Sequence, residues 1–432
     1  MNLTFDSLVQ DLKDRLDLIK DHRSNVNTTQ TLANILMSGF AVFSVKDPSL
    51  LKFVKDLKNR TNNLRNIFHI TQRMSDTNIR KVIDKVKTKE LKKLFKPYME
   101  QLDNEGVLDD YEYIENRLIV PMDGTQYFVS KTICCKNCLT KHHKDGSTTF
   151  HHNALCASIV CPNTEEVFPL GIEDIARQDG KKKNDCELNA VQRLIPQIIE
   201  NLPDRKILLG GDAIYANGPL IRFIREQQAD IRFIFAVKPG SQGYLFLQFE
   251  RLEKQGKVQT FTSVNKNKKH VTKYVNGLML NGQNNDILVN FLHFEEHDLK
   301  KGTVKTFSWI TDIGITVKNH VKITKAGRAR WKIENETFNT LKNQGYHFEH
   351  NFGHGEENLA ANFSVLMLLA FLFDQIQQRI NLNFKLAKLK AGSRIALWEK
   401  VRQYFDLIEV QSMDFIYQLI TGKIKMRVQF II

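Results

Sequence analysis

A chain of 432 residues exceeds what one hydrophobic core usually supports, and its 42% apolar and 25% charged content, without low-complexity tracts, excludes a disordered protein. The net charge of +14 is spread along the chain instead of being gathered in a tail, which points to a broad polyanionic partner, nucleic acid first. A membrane partner is set aside because the longest apolar run, Phe363 to Phe373, is too short to span a bilayer and reads as a buried helix.

Met1 opens a charged amphipathic segment, not a signal peptide, and six cysteines in such a chain suggest reduced thiols or a metal site. A cytoplasmic, nucleoid-associated protein is expected. Residues 1–115 carry apolar residues at helical spacing, as in "LVQDLKDRLDLI" and "LLKFVKDLKNRTNNL", and form a helical N-terminal domain for DNA binding or an accessory role. Within it "MSDTNIR" offers Ser75 or Asp76 as the cap of a helix carrying Arg80, Lys81, Lys85 and Lys87. That basic face reads equally as solvated or as DNA-contacting, with Arg80 its candidate contact.

From residue 117 the pattern changes to short β-rich runs: "RLIVPMDGTQYFVS", "ALCASIVCP" and "EVFPLGI". A helix follows in "DCELNAVQRLIPQIIENL", then a buried strand "KILLGG", a helix "GPLIRFIREQQ" and a strand "IRFIFAVKP". The order β β β α β α β is that of an RNase H-like α/β domain with a mixed sheet. Residues 116–240 are its first part, 241–325 a β-rich insertion, 326–380 its final helices and 381–432 a helical C-terminal tail.

Three acids fall at informative places in this order. Asp123 lies in or just past the first strand, Asp212 at the carboxyl end of "KILLGG", where open α/β sheets expose ligand-binding residues, and Glu334 near the start of the helix after the insertion. Carboxylates gathered from separate elements repel one another unless a cation lies between them, and hard oxygen ligands select magnesium or manganese. Each acid alone has a plain alternative: Asp123 an Asp-Gly turn, Asp212 a helix cap, Glu334 a surface partner of Arg330. At about 100° per residue, Trp331, Phe338 and Leu341 share a helix face with Glu334, while Glu336 points nearly opposite and reads as solvated.

On "MDGTQYF", "GGDAIYA" and "RWKIENETFNTLK" the sequence resembles the DDE transposases of bacterial insertion sequences, in the group whose RNase H-like core carries a β-rich insertion before the final glutamate. Their last motif runs Tyr, two residues, Arg, three residues, Glu, six residues, Lys. Arg330 and Glu334 match it, Gly327 stands in the tyrosine slot, and Lys342 comes one place late, with Leu341 in the lysine slot. The resemblance implies Asp123, Asp212 and Glu334 as catalytic metal ligands for Mg2+ or Mn2+, with hydrolysis at element ends and strand transfer into target DNA. Arg330 and Lys342 would contact the DNA backbone. The partner implied is double-stranded DNA, both element ends and target, bound by a homodimer. Other outcomes of the same pattern are another RNase H-like nuclease or a catalytically inactive transposase-derived regulator.

The segment "ICCKNCLTKHHKDGSTTFHH" holds a C-x-x-C, Cys135 and Cys138, with histidines downstream. Together with His143 and His152 it suggests a structural zinc site, against which stands a plain set of reduced thiols. Cys156 and Cys161, at odd spacing, are expected on opposite faces of a strand, one in the core and one at the surface. Lys181, Lys182 and Lys183, just before a helix that Asn184 or Asp185 would cap, are candidate phosphate contacts. In Gly353 to Gly355, "GHG", either a close approach of backbone to DNA or a flexible helix lead-in is expected.

Overall fold

The computed structural model describes residues 3–24, 28–176 and 185–425. The amphipathic runs at the N-terminal end form α1 (Phe5–Asp17), α2 (Leu32–Ser44), α3 (Leu50–Phe68), α4 (Asp76–Asp84), α5 (Thr88–Lys92) and α6 (Phe95–Asn104). Thr4, Thr31, Ser49 and Ser75 each start one of the first four by accepting the backbone N–H three residues on, so Ser75, not Asp76, caps α4.

The central part runs β1 (Glu112–Ile114), β2 (Arg117–Ser130), β3 (Leu139–His142), β4 (Thr148–Ile159), β5 (Phe168–Ile175), α7 (Glu187–Asn201), β6 (Lys206–Gly211), α8 (Gly218–Arg225) and β7 (Ile231–Ala236). Then come α9 (Gly243–Lys254), β8 (Gln259–Asn265), β9 (Lys268–Asn281), β10 (Asn284–Asp298) and β11 (Thr303–Thr311). The chain ends in α10 (His320–Ala329), a π-helical turn Ile333–Phe338, α11 (Asn339–Asn343), α12 (Leu359–Ile380), α13 (Leu382–Ala391), α14 (Arg394–Leu407) and α15 (Met413–Thr421).

Among the described residues eleven strands join into one mixed sheet. Its core order is β5-β4-β2-β6-β7, with β4 antiparallel to both β5 and β2, and β2, β6 and β7 parallel to one another. Taking those five strands in chain order, this is the 3-2-1-4-5 arrangement of an RNase H-like core. The parallel steps need crossovers, and α7 and α8 supply them. Strand β2 is buried from Arg117 to Met122, as a strand covered on both faces must be. Gly171 of β5 lies against Leu194 of α7, while Ser158 of β4 bonds Thr337 of the π turn, and strand alternation puts these two contacts on opposite faces. Strand β11 pairs antiparallel with β7, so β8 to β11 extend the same sheet.

The N- and C-terminal helices close around α12. That helix is long and apolar enough to cross a membrane by length and composition, but 89% of its apolar window is buried within the protein. It contacts α1, α2, α4, α5, α13 and β5. A buried ion pair sits in this interior: Lys46 Nζ meets Asp374, which also accepts Tyr346 Oη at 2.5 Å, and the ammonium lies 3.9 Å from the Trp398 ring centroid.

Two local expectations are corrected. Cys156 and Cys161 are both buried, because β4 ends at Ile159 and the strand alternation does not carry through to Cys161. Helix α7 starts at Cys186 without a side-chain cap, since Asp185 instead accepts from Arg193 Nη2 at 2.7 Å and Asn189 Nδ2 at 2.9 Å. Asn184 and the lysines Lys181, Lys182 and Lys183 lie outside the described residues.

Candidate active site

Strand register brings the first two acids together. Pro121 of β2 pairs with Gly210 of β6 in parallel, so the same register continued by two residues sets Asp123 beside Asp212. Asp123 lies inside the long strand β2, paired with Cys156, so the Asp-Gly turn does not form. Asp212 does not cap α8 either. Asn217 does, and Asp212 instead accepts Ile214 N at 2.9 Å in the loop after β6.

The third acid comes from across the sheet. Arg330 Nη1 is 3.0 Å from Asp123 Oδ2 and 2.8 Å from Glu334 Oε1, so one guanidinium nitrogen joins the two carboxylates. Burial pushes the Asp123 carboxyl up to about 7. Glu334 and Glu187 add to that rise, and Arg330 opposes it. The carboxylates therefore crowd one another.

Glu187, at the start of α7, is a fourth acid here that the sequence reading missed. Its carboxylate accepts the hydroxyl of the buried Tyr215, and a Cβ on Gly124 would stand 2.8 Å from its Oε2. Burial raises its carboxyl above the ordinary value, with Asp212 adding to the rise against the tyrosine bond. In sequence it looks like any acid in a helix first turn; its signal was the glycine after Asp123, which leaves room for it.

The helix face drawn from a regular α-helix is partly wrong. Phe338 and Leu341 are buried, but Trp331 is 49% exposed. The π turn begins at Ile333, after Trp331, and turns less per residue than an α-helix, so the 100° step does not carry across it. The same turn accounts for the late lysine. A π turn closes i→i+5 hydrogen bonds and takes up one extra residue, which brings Lys342 round to where an uninterrupted helix would place residue 341. Lys342 Nζ pairs with Glu349 at 2.8 Å. Glycine in the tyrosine slot also has a cause, because a Cβ on Gly327 would stand 2.6 Å from the Trp309 indole.

The remaining candidates are placed apart from the acids. Arg80 lies on α4, half exposed, with its stem against Gly353. Cys135, Cys138 and His152 do come together, but His143 is not with them; its Nε2 bonds Thr149 Oγ1 at 2.7 Å. His354, from the "GHG" segment, stands in its place. Gly355, at φ +69°, passes close to the Asp84 carboxylate, which accepts the backbone N–H groups of Glu356, Glu357, Asn358 and Leu359 ahead of α12. These glycines thus serve an internal cap.

Residues 182–372 match the family model of the transposase DDE domain. That stretch is similar to a transposase DDE domain. Asp212, Arg330 and Glu334 lie inside the matched DDE domain, and Asp123 lies before it. The chain is also similar, at 12% identity and a TM-score of 0.39, to the piggyBac transposase in a cryo-EM structure of its synaptic complex with hairpin DNA, over 98% of this chain and 79% of that one. No curated protein matches the chain.

Proposed function

We propose that this protein is a DNA transposase that cleaves phosphodiester bonds at the ends of its element and joins the freed ends to target DNA, acting as a homodimer. The observation that carries the reading is the meeting of Asp123 and Glu334 on Arg330, with Asp212 just past the end of β6, the parallel neighbour of the strand that holds Asp123. The donor set suits a hard divalent cation. It is made of carboxylate oxygens, and the burial that pushes Asp123 up to about 7, with Glu334 and Glu187 adding to it, is what such a cation offsets. Asp123, Asp212 and Glu334 would hold Mg2+ or Mn2+, which when bound activates the attacking oxygen and stabilises the leaving one.

The chain's own residues account for the rest. In the first step a water oxygen bonds to phosphorus and the bond to the 3′ oxygen breaks, leaving a 3′ hydroxyl. In the second, that oxygen gives up its proton and bonds to a target phosphorus, the bond from that phosphorus to the target's own 3′ oxygen breaks, and the departing 3′ oxygen takes a proton. Arg330 uses one nitrogen on the two carboxylates, and its other donors are free in geometry to hold a phosphate oxygen beside the scissile bond. Glu187 and Tyr215 back the two aspartates from the far side of Gly124.

The test is cleavage of a labelled duplex carrying the DNA that flanks the gene, with Mg2+ or Mn2+, alongside a gel-shift assay. Asp123→Asn, Asp212→Asn and Glu334→Gln are each expected to abolish cleavage and keep binding, since affinity comes from Lys and Arg spread over the surface. Glu336→Ala is expected to cleave. Wild-type protein that binds but does not cut would favour an inactive regulator, and Glu336→Ala dead beside an active Glu334→Gln would move the third acid.

A further inference from the structure

Outside the carboxylate site, the strongest cluster of metal-ligating side chains is Cys135, Cys138, His152 and His354. They come from three places: the loop after β2, strand β4, and the segment leading into α12. Cys138 and His152 are buried, at 2% and 6% exposure, and all four ligand atoms lie within 4.8 Å of one another.

The distances discriminate between a metal site and a chance pairing of thiols and rings. Zinc bonds of about 2.3 Å to sulfur and 2.0–2.1 Å to nitrogen, in a tetrahedron, set two sulfurs about 3.8 Å apart and a sulfur and a nitrogen about 3.5 Å apart. Here the two Sγ atoms are 3.9 Å apart, His152 Nε2 is 3.5 Å from each, and His354 Nε2 is 3.3 Å from Cys138 Sγ. Both histidines turn the same nitrogen, Nε2, toward the sulfurs. The buried His354 Nδ1 has no hydrogen-bond partner, so the polar bonding of this ring runs through Nε2, which without a metal has only a weak bond to sulfur.

We propose that Cys135, Cys138, His152 and His354 bind one zinc ion as a closed structural site, with His354 taking the place that sequence spacing would give to His143. The ion ties the β2–β4 hairpin to the segment between the acid-bearing helix and α12. Strand β2 carries Asp123 four residues before Tyr127, whose ring stacks on His152 at 5.7 Å between centroids, so the tie bears on the strand that holds the first acid. Two soft thiolates with two imidazoles select zinc over magnesium.

The test does not depend on cleavage. Protein purified without chelator is expected to contain one zinc per chain by elemental analysis. Refilling chelated protein with Co2+ should give the visible bands of tetrahedral cobalt and thiolate-to-cobalt charge transfer. His143→Ala should keep full metal content, whereas His354→Ala should lose at least about tenfold in metal affinity, consistent with the loss of one of four ligands. If the double variant Cys135→Ser with Cys138→Ser fails to fold, the metal content and cobalt spectrum of the wild type decide the matter: no zinc and no tetrahedral bands overturn the proposal. Loss of metal in His143→Ala but not in His354→Ala would overturn the ligand set.

Discussion

Glu187 is the residue through which the candidate site can be probed without touching the three acids. It accepts from Tyr215, faces the space left by Gly124, and is raised by burial and by Asp212. Glu187→Gln keeps an oxygen for the tyrosine but removes a negative charge beside the aspartates. The expected outcome is a rise of about tenfold in the magnesium needed for half-maximal cleavage, the size typical of outer-sphere partners of metal ligands, with thermal stability little changed. An unchanged magnesium curve with lowered stability would make Glu187 a packing residue only. At this scale strand and helix order put Asp123 and Glu334 on elements that meet at Arg330 and Asp212 at the end of the strand beside that of Asp123. It could not show Glu187 or His354, whose positions depend on a crossover helix and on a segment more than two hundred residues from its partners in the cluster.

Elements explain where the last motif departs from the expected spacing. Two changes occur within one stretch of helix: Gly327 accepts the Trp309 ring, and the π turn Ile333–Phe338 accommodates an extra residue. A periodicity argument assumes an unbroken α-helix, so it placed Phe338 and Leu341 correctly and Trp331 wrongly. The Gly327 contact can be tested by a mutant cycle. In an ordinary helix Gly→Ala gains about 1 kcal/mol, but here the new methyl meets rigid indole atoms of a packed core, which costs about 1–3 kcal/mol. Gly327→Ala is therefore expected to lower stability to urea, and in a Trp309→Ala background the same change is expected to become neutral or stabilising. A stabilising effect in the wild type would mean that the indole moves aside freely. The strand and helix order of the core was legible because each element has its own period. The pairing of β11 with β7 was not, since a sequence gives strands without their neighbours.

At the scale of the molecule the charge and the helical parts meet in one surface feature. The N-terminal helices pack around α12 with the C-terminal ones, and the ends of α1, α4 and α5 leave a cleft of about 690 Å³ lined by Arg15, Lys20, Lys85, Lys87, Lys89 and Lys93. Several of these cations already have carboxylate partners: Arg15 has Asp11, Lys85 has Glu357 and Lys93 has Glu90. Lys87 and Lys89 are exposed at the rim, and they distinguish a DNA path from a solvated face. If DNA crosses this cleft, each lysine neutralises a phosphate and releases counterions, so the logarithm of the affinity falls with the logarithm of salt by about 0.9 per contact. The double variant Lys87→Ala with Lys89→Ala is then expected to bind more weakly at low salt and to lower the steep salt slope of the wild type by about 2, without altering sequence preference. Fluorescence anisotropy on duplex DNA over a range of salt concentrations measures both quantities. A lower affinity with an unchanged slope would mean that the substitutions disturbed the helices, not phosphate contacts; an unchanged affinity and slope would send the DNA over another face of the +14 surface.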